Sequence, residues 1–137
     1  MTEHIVVVGG GTGGTVLANR LAEKLGPEID RGDVEVTLYS DDPNHVYKPH
    51  FLYVPFGKKT VEEASRPLRE LVDRRVDVEI DRVEELDPDA RRLTLRDGTS
   101  VGYDKLTLAM GSRLAPDDVP GLAEGGHHFY GPNGAER

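Results

Sequence analysis

Ile5-Val6-Val7-Val8-Gly9-Gly10-Gly11-Thr12-Gly13-Gly14 is the stretch whose reading decides the fold. Ile5 to Val8 is a continuous β-branched run with no polar alternation. Such a run reads as a strand buried on both faces, the mark of a parallel α/β sheet. Beyond the glycines, apolar residues recur at helical spacing: Leu17, Leu21 and Leu25 form one stripe, with Ala18 and Ala22 beside it. Gly26-Pro27 is expected to end that helix. Glu28 to Asp33 is a polar loop, and in Val34 to Tyr39 the residues Val34, Val36 and Leu38 alternate with Glu35 and Thr37 as a second strand. Strand, turn, helix and strand make a βαβ unit.

Gly9-x-Gly11-x-x-Gly14 is a dinucleotide fingerprint in the context that gives it meaning, directly after a strand and opening a helix. Gly9 permits the tight turn, Gly11 lets backbone approach a pyrophosphate, and Gly14 lets the helix pack closely on the strand. Free N–H groups and the positive end of the helix dipole then meet the phosphates. Thr12, with its hydroxyl, and Gly10 and Gly13 complete the loop. The alternative is a Gly-rich turn that only packs. A kinase-type loop joins two strands instead, and a Walker A loop requires a Gly-Lys-Ser/Thr that does not follow.

An acid at the end of the second strand normally takes a ribose hydroxyl. Here that strand runs into Ser40, Asp41 and Asp42, farther from Gly14 than the usual spacing of roughly 20 residues, and the loop before Val34 absorbs the excess. Either Ser40 or Asp41 serves the ribose, or both aspartates only solvate a loop. Acids at this point disfavour the 2′-phosphate of NADP.

Farther along, Ser40 to Thr60 holds Pro43, Pro49 and Pro55 together with Tyr47, Phe51, Tyr53 and Phe56. The prolines argue against regular structure and the aromatics against disorder, so an ordered loop that packs on something is expected. Pro67 suits the first turn of a short helix reaching to about Arg75. Val76, Val78 and Ile80 form a third strand; Leu93 and Leu95, Asp97-Gly98 and Val101 read as a hairpin. Leu106 to Ala109 is a further buried strand ending at Gly111, and no packed element is expected in the Pro- and Gly-rich tail from Ala115 on.

Composition narrows the function classes. The 137 residues suit one domain, taken as 1–137, and contain no cysteine, which excludes disulfides and thiolate chemistry within them. A formal net charge of -8 disfavours nucleic acid and is the wrong sign for docking to anionic lipid. Neither a secretory signal nor a membrane-length apolar run is present, so a soluble, cytoplasmic chain is expected. The five histidines, His4, His45, His50, His127 and His128, lack metal-ligand spacing, and there is no Gly-x-Ser-x-Gly elbow. No residue is assigned a catalytic or metal-binding role. Arg66, Arg69, Arg74 and Arg75 lie among acids and read as a solvated face.

Three segments in order, IVVVGGGTGG (Ile5 to Gly14), Val83 to Gly98 with its RRLTLRDG, and YDKLTLAMGS (Tyr103 to Ser112), together resemble the N-terminal FAD-binding domain of the pyridine nucleotide-disulfide oxidoreductase superfamily. Met110 stands at that signature's threonine. The closest resemblance is to the branch of sulfide:quinone oxidoreductases and type II NADH dehydrogenases, on the Gly-rich loop and on Leu38-Tyr39-Ser40-Asp41. The resemblance implies an α/β, Rossmann-type parallel sheet with a small antiparallel excursion. It implies FAD as cofactor and a quinone as electron acceptor. It places Lys48 and Pro49 beside the isoalloxazine, where a lysine stabilises negative charge on reduced flavin, although a plain surface cation is equally open for Lys48. Val83 is placed at the adenine, and Ala109 and Gly111 in the segment that closes over the cofactor. Tyr130 stands where sulfide:quinone reductases often carry a redox cysteine.

The expectation is therefore the FAD-binding N-terminal part of a larger flavoenzyme, inactive by itself, whose membrane contact lies in a C-terminal part, at the cytoplasmic membrane. An NAD-dependent dehydrogenase and a complete, non-catalytic nucleotide-binding module are the alternatives; the Tyr103-to-Ser112 signature argues against the first and the ragged tail against the second.

Overall fold

The computed structural model describes residues 1–135; Glu136 and Arg137, the end of the tail considered above, lie outside the described residues. In chain order the elements are β1 (Glu3–Val8), α1 (Thr12–Lys24), α2 (Gly26–Asp30), β2 (Val34–Ser40), β3 (Asn44–Val46), β4 (Ser65–Pro67), α3 (Leu68–Leu71), β5 (Asp77–Ile80), β6 (Val83–Asp87), β7 (Arg92–Leu95), β8 (Ser100–Gly102), β9 (Lys105–Leu108), α4 (Leu122–Gly125) and α5 (Pro132–Ala135). They fall into two units. One comprises Met1–His45 and Pro67–Gly111; the other comprises Val46–Arg66 and the segment from Ser112 on.

The first unit carries the sheet that the Ile5-to-Val8 run predicts. Four strands lie in the order β5-β2-β1-β9, and every pairing is parallel. β1 runs between β2 and β9, with Val6 opposite both Thr37 and Leu106. Its apolar residues therefore face two layers. Ile5 and Val7 pack with Ala18, Ala22, Val36, Leu38, Leu68, Val72, Val76 and Val78 on the helical side. Val6 and Val8 pack with Tyr39, Leu93 and Leu95 on the other. Each fully buried Val or Leu contributes about 1.5–3 kcal/mol relative to exposure, so the two layers hold the sheet from both faces. The second layer is supplied by the antiparallel sheet β6-β7-β8, whose β7–β8 turn places Gly98 at φ 87°, as the Asp97-Gly98 reading expects.

Several expectations are corrected. The residues of α1 pressed hardest on the sheet are Gly14, Thr15, Ala18 and Ala22, while Leu17, Leu21 and Leu25 flank them half-buried. Small residues take the contact line because the helix lies close to the strand. Gly26-Pro27 begins a second helix, α2, as well as ending the first; proline is at home in a first turn, so the first half of the expected polar loop, Glu28 to Asp30, is helical. The helix after Pro67 stops at Leu71 rather than near Arg75, because Val72 is already extended at ψ 137°. β9 is less buried than expected: it pairs only with β1 among the described strands, and Leu108 is 49% exposed.

In the second unit the aromatic loop is ordered, as the sequence predicts. It contains a 3-10 helix at Lys48–Leu52 and another at Glu62–Ala64. Thr60 and Glu63 cap each other reciprocally: the Thr60 N–H donates to Glu63 Oε2 at 2.8 Å, and the Glu63 N–H donates to Thr60 Oγ1 at 3.3 Å. The tail is packed, contrary to expectation. Ala135 on α5 is buried against Phe51 and Ala64, with Val46, Val54 and Val61 around them. Phe51 is the largest fully buried side chain among the described residues. No described helix is long and apolar enough to cross a membrane.

Candidate functional site: a glycine-rich turn at the start of a helix

The turn between β1 and α1 is built by close contacts that leave no room for side chains at three glycines. Gly9 has φ 116°, a left-handed conformation that favours glycine, and a Cβ there would collide with the Ala109 carbonyl. A Cβ on Gly14 would strike the Gly9 carbonyl. A Cβ on Gly10 would lie 2.5 Å from Ser40 Oγ and 2.7 Å from Leu68 Cδ2. Gly11 is the opposite case: its φ of -75° is ordinary, and a Cβ there would meet nothing within 4 Å. The turn is thus packed from below by Ala109, Ser40 and Leu68 and open at Gly11.

Gly11 is the N-cap of α1 and supplies no capping side chain; Thr12 and Gly13 are exposed, and the first helical backbone bond runs from the Thr15 N–H to the Gly11 carbonyl. The amides ahead of Thr15 have no intrahelical partner. No acid occupies the first turn, so no side chain offsets the positive end of the helix dipole, while Lys24 complements the other end. An exposed run of unpaired amides at such a terminus is suited to an anion.

The end of β2 separates the two ribose candidates. Ser40 is buried, and its hydroxyl donates to the Asp42 carbonyl at 2.8 Å while accepting from the Asp42 N–H at 3.3 Å. The hydroxyl closes a turn and forms part of the floor beneath Gly10. Asp41 is exposed. Val83 opens β6 half-buried on the Leu93–Leu95 cluster. Ala109 donates its N–H to the Val8 carbonyl at 2.7 Å, which ties Ala109 to the end of β1, and Gly111 turns the chain at φ 74°. These residues all belong to the first unit.

Lys48 and Pro49 lie in the second unit, in the 3-10 helix that carries Phe51. Lys48 Nζ sits over the Tyr130 ring, and Tyr130 is bonded through its phenol oxygen to Ser112. The His127 and His128 side chains are exposed.

Two residues of the turn escape sequence reasoning. Thr15 Oγ1 donates to the Gly10 carbonyl at 3.2 Å, and His45 Nδ1 meets the same carbonyl at 3.0 Å. A hydroxyl in the first turn of a helix is a weak signal for Thr15. His45 lies 35 residues from Gly10 in sequence, and nothing local marks it.

The fold and the turn define a Rossmann-type α/β protein. The chain belongs to the pyridine nucleotide-disulphide oxidoreductase family, which it matches over residues 3–133. It is similar to the sulfide-quinone reductase of Aquifex aeolicus, at 35% identity over 115 residues, covering 83% of this chain and 25% of that protein. It is also similar to an NADH dehydrogenase-like protein of Mycobacterium tuberculosis, at 30% identity over 136 residues, covering 98% of this chain and 33% of the other. The X-ray structure of the Aquifex aeolicus sulfide:quinone oxidoreductase superposes with a TM-score of 0.82 and 28% identity, over 98% of this chain and 30% of that one. The chain therefore spans a quarter to a third of the length of these curated relatives.

Proposed function

We propose that this chain is the FAD-binding part of a flavin-dependent oxidoreductase that passes electrons to a quinone, of the sulfide:quinone reductase kind. The observation that carries the reading is the extent of the likeness to a sulfide-quinone reductase, 35% identity across 83% of the chain. The Gly-rich turn supports it, because its open point at Gly11 and its unpaired amides suit a diphosphate. The Gly11, Thr12 and Gly13 amides hold the diphosphate of FAD, with Gly9 and Gly14 setting the turn. Asp41, the exposed acid at the end of β2, takes the ribose, and Ser40 shapes the floor. Val83 meets the adenine through its backbone, and Ala109 and Gly111 border the cofactor. Lys48 and Pro49 are assigned to the isoalloxazine on the family resemblance alone.

Bound FAD supplies the redox chemistry, taking an electron pair from a donor and yielding it to the quinone. These residues contribute binding and orientation. A type II NADH:quinone dehydrogenase is the second reading, favoured by the likeness to the NADH dehydrogenase-like relative over 98% of the chain. The test has two parts. Titrating this chain with FAD and with NAD⁺ identifies the dinucleotide, and assaying the product of the whole gene for quinone reduction with sulfide and with NADH identifies the donor. FAD affinity with sulfide-dependent turnover is the expected result. Turnover with NADH alone selects the second reading, and preference for NAD⁺ over FAD in this chain overturns both.

A further inference from the structure

The Gly10–Gly11 peptide is trans, like every peptide in the described chain. In a trans peptide the carbonyl of one residue and the N–H of the next point in opposite directions from the same rigid plane. Whatever fixes the Gly10 carbonyl therefore also aims the Gly11 N–H. That carbonyl is held by two side chains, Thr15 Oγ1 at 3.2 Å and His45 Nδ1 at 3.0 Å. The carbonyl can only accept, so His45 carries a proton on Nδ1, and the two donors occupy both lone pairs of the oxygen. Thr15 is buried and His45 half-buried, and Thr15 Oγ1 lies 3.5 Å from His45 Nδ1, so the three polar groups converge.

The consequence is electrostatic as well as geometric. A carbonyl oxygen left free to swing toward the open side of the turn would present partial negative charge to an incoming anion. Held on Thr15 and His45, the same peptide presents its N–H on the far side, at Gly11, where the turn is open. We propose that His45, with Thr15, is a positioning residue for the phosphate site: it locks the Gly10–Gly11 peptide plane so that the Gly11 amide faces the diphosphate. This rests on the dinucleotide reading above and adds to it a residue from outside the fingerprint. His45 touches the turn and not the ligand.

Substitutions at His45 separate the donor from mere bulk. Asparagine branches at the same atom and places an amide N–H where Nδ1 lies. Glutamine has similar size but carries its amide farther out, where Nε2 lies. The measurements are calorimetric titration with ADP, which contains the diphosphate, and the thermal unfolding midpoint of each protein. His45→Asn is expected to bind ADP like the parent. His45→Gln and His45→Ala are expected to bind it about 10- to 100-fold more weakly, the worth of one hydrogen bond to a charged group. ADP affinity that is unchanged in His45→Gln and His45→Ala overturns the inference and leaves the dinucleotide reading standing, as does an Asn variant no better than the Gln variant at equal unfolding midpoint. A parent chain that binds neither ADP nor FAD overturns the dinucleotide reading, and this positioning role with it, on the parent measurement alone.

Discussion

Lys48 Nζ lies 3.7 Å from the centroid of the Tyr130 ring, a cation held over an aromatic face. The Tyr130 oxygen lies 2.5 Å from Ser112 Oγ and also donates to the Ser112 carbonyl at 3.1 Å, so the serine hydroxyl is the donor in the shorter bond. That bond, and after it Lys48, hold the Tyr130 phenol below the ordinary tyrosine value of 10.0. The expected outcome is that Tyr130 ionises first among the five tyrosines of this chain in an ultraviolet titration of tyrosinate. Tyr130→Phe removes the early component, and Ser112→Ala and Lys48→Met move it upward. The sign for stability follows from a lowered acid: the contribution is present above the unfolded value and is lost as pH falls through the folded one. A titration in which Tyr130→Phe deletes only a component at the ordinary tyrosine value would contradict this.

Phe51, 1% exposed, is packed with Ala64 and with Ala135 of the tail. Truncating a buried phenylalanine costs about 3–5 kcal/mol, because the surrounding side chains close the cavity only in part. Phe51→Ala is expected to make residues 46–66 and the segment after Ser112 the first places cut in limited proteolysis, with Phe51→Leu much closer to the parent. Cleavage that begins within the β5-β2-β1-β9 sheet would show that Phe51 does not hold those two segments together.

The sheet was legible because its evidence is local. Four consecutive β-branched residues, Ile5 to Val8, need burial on two sides, and the structure supplies the layers under Val7 and under Val6. Gly9 and Gly14 were legible for the same reason: the φ of 116° at Gly9 and the Gly9 carbonyl against Gly14 are constraints inside one turn. What escaped depends on partners far along the chain. Gly10 is squeezed by Ser40 and Leu68, and its carbonyl is held by His45; no pattern around residue 10 reports either. Ala135 is a small residue in a Gly-rich tail, and the distant cluster of Phe51 and Ala64 gives it a place to be buried. Thr60-x-x-Glu63 is different: the spacing of a capping box stands in the sequence, at the far end of the Ser40-to-Thr60 loop.

Asp30, at the end of α2, receives a bond from Arg75 Nε at 2.9 Å and a longer one from Nη2 at 3.4 Å. The Arg75 hydrogen bond, with Arg75 and Arg74 adding their charge, lowers the Asp30 carboxyl below its ordinary 3.8. For a lowered acid the stabilisation is complete above the unfolded value and fades as pH falls through the folded one. The expected outcome is that Asp30→Asn lowers the thermal midpoint slightly at neutral pH and that the gap to the parent closes under acid conditions. Salt should narrow the same gap at neutral pH, because the pair is largely solvent-accessible. A gap that widens on acidification would assign the effect of the substitution to something other than this ion pair.

Gly11 and Gly14 make the sharpest pair of substitutions, because the same change has opposite grounds at the two positions. At Gly14 a methyl group has nowhere to go: it would meet the Gly9 carbonyl, with Val7 Cγ1 at 3.4 Å behind it. Overpacking a tight site costs about 1–3 kcal/mol, and backbone is slower to yield than a flexible side chain. Gly14→Ala should therefore lower the unfolding midpoint whether or not a nucleotide is present. At Gly11 the methyl group enters open space on an ordinary φ of -75°, and alanine as an N-cap costs within about 1 kcal/mol. Gly11→Ala should fold much like the parent yet lose ADP affinity, because the added carbon stands between the phosphates and the amides at the start of α1. Circular dichroism melts and ADP titrations on the two variants read these effects separately. If Gly11→Ala binds ADP as well as the parent does, the phosphates do not approach the backbone at this glycine, and the open face of the turn serves something else.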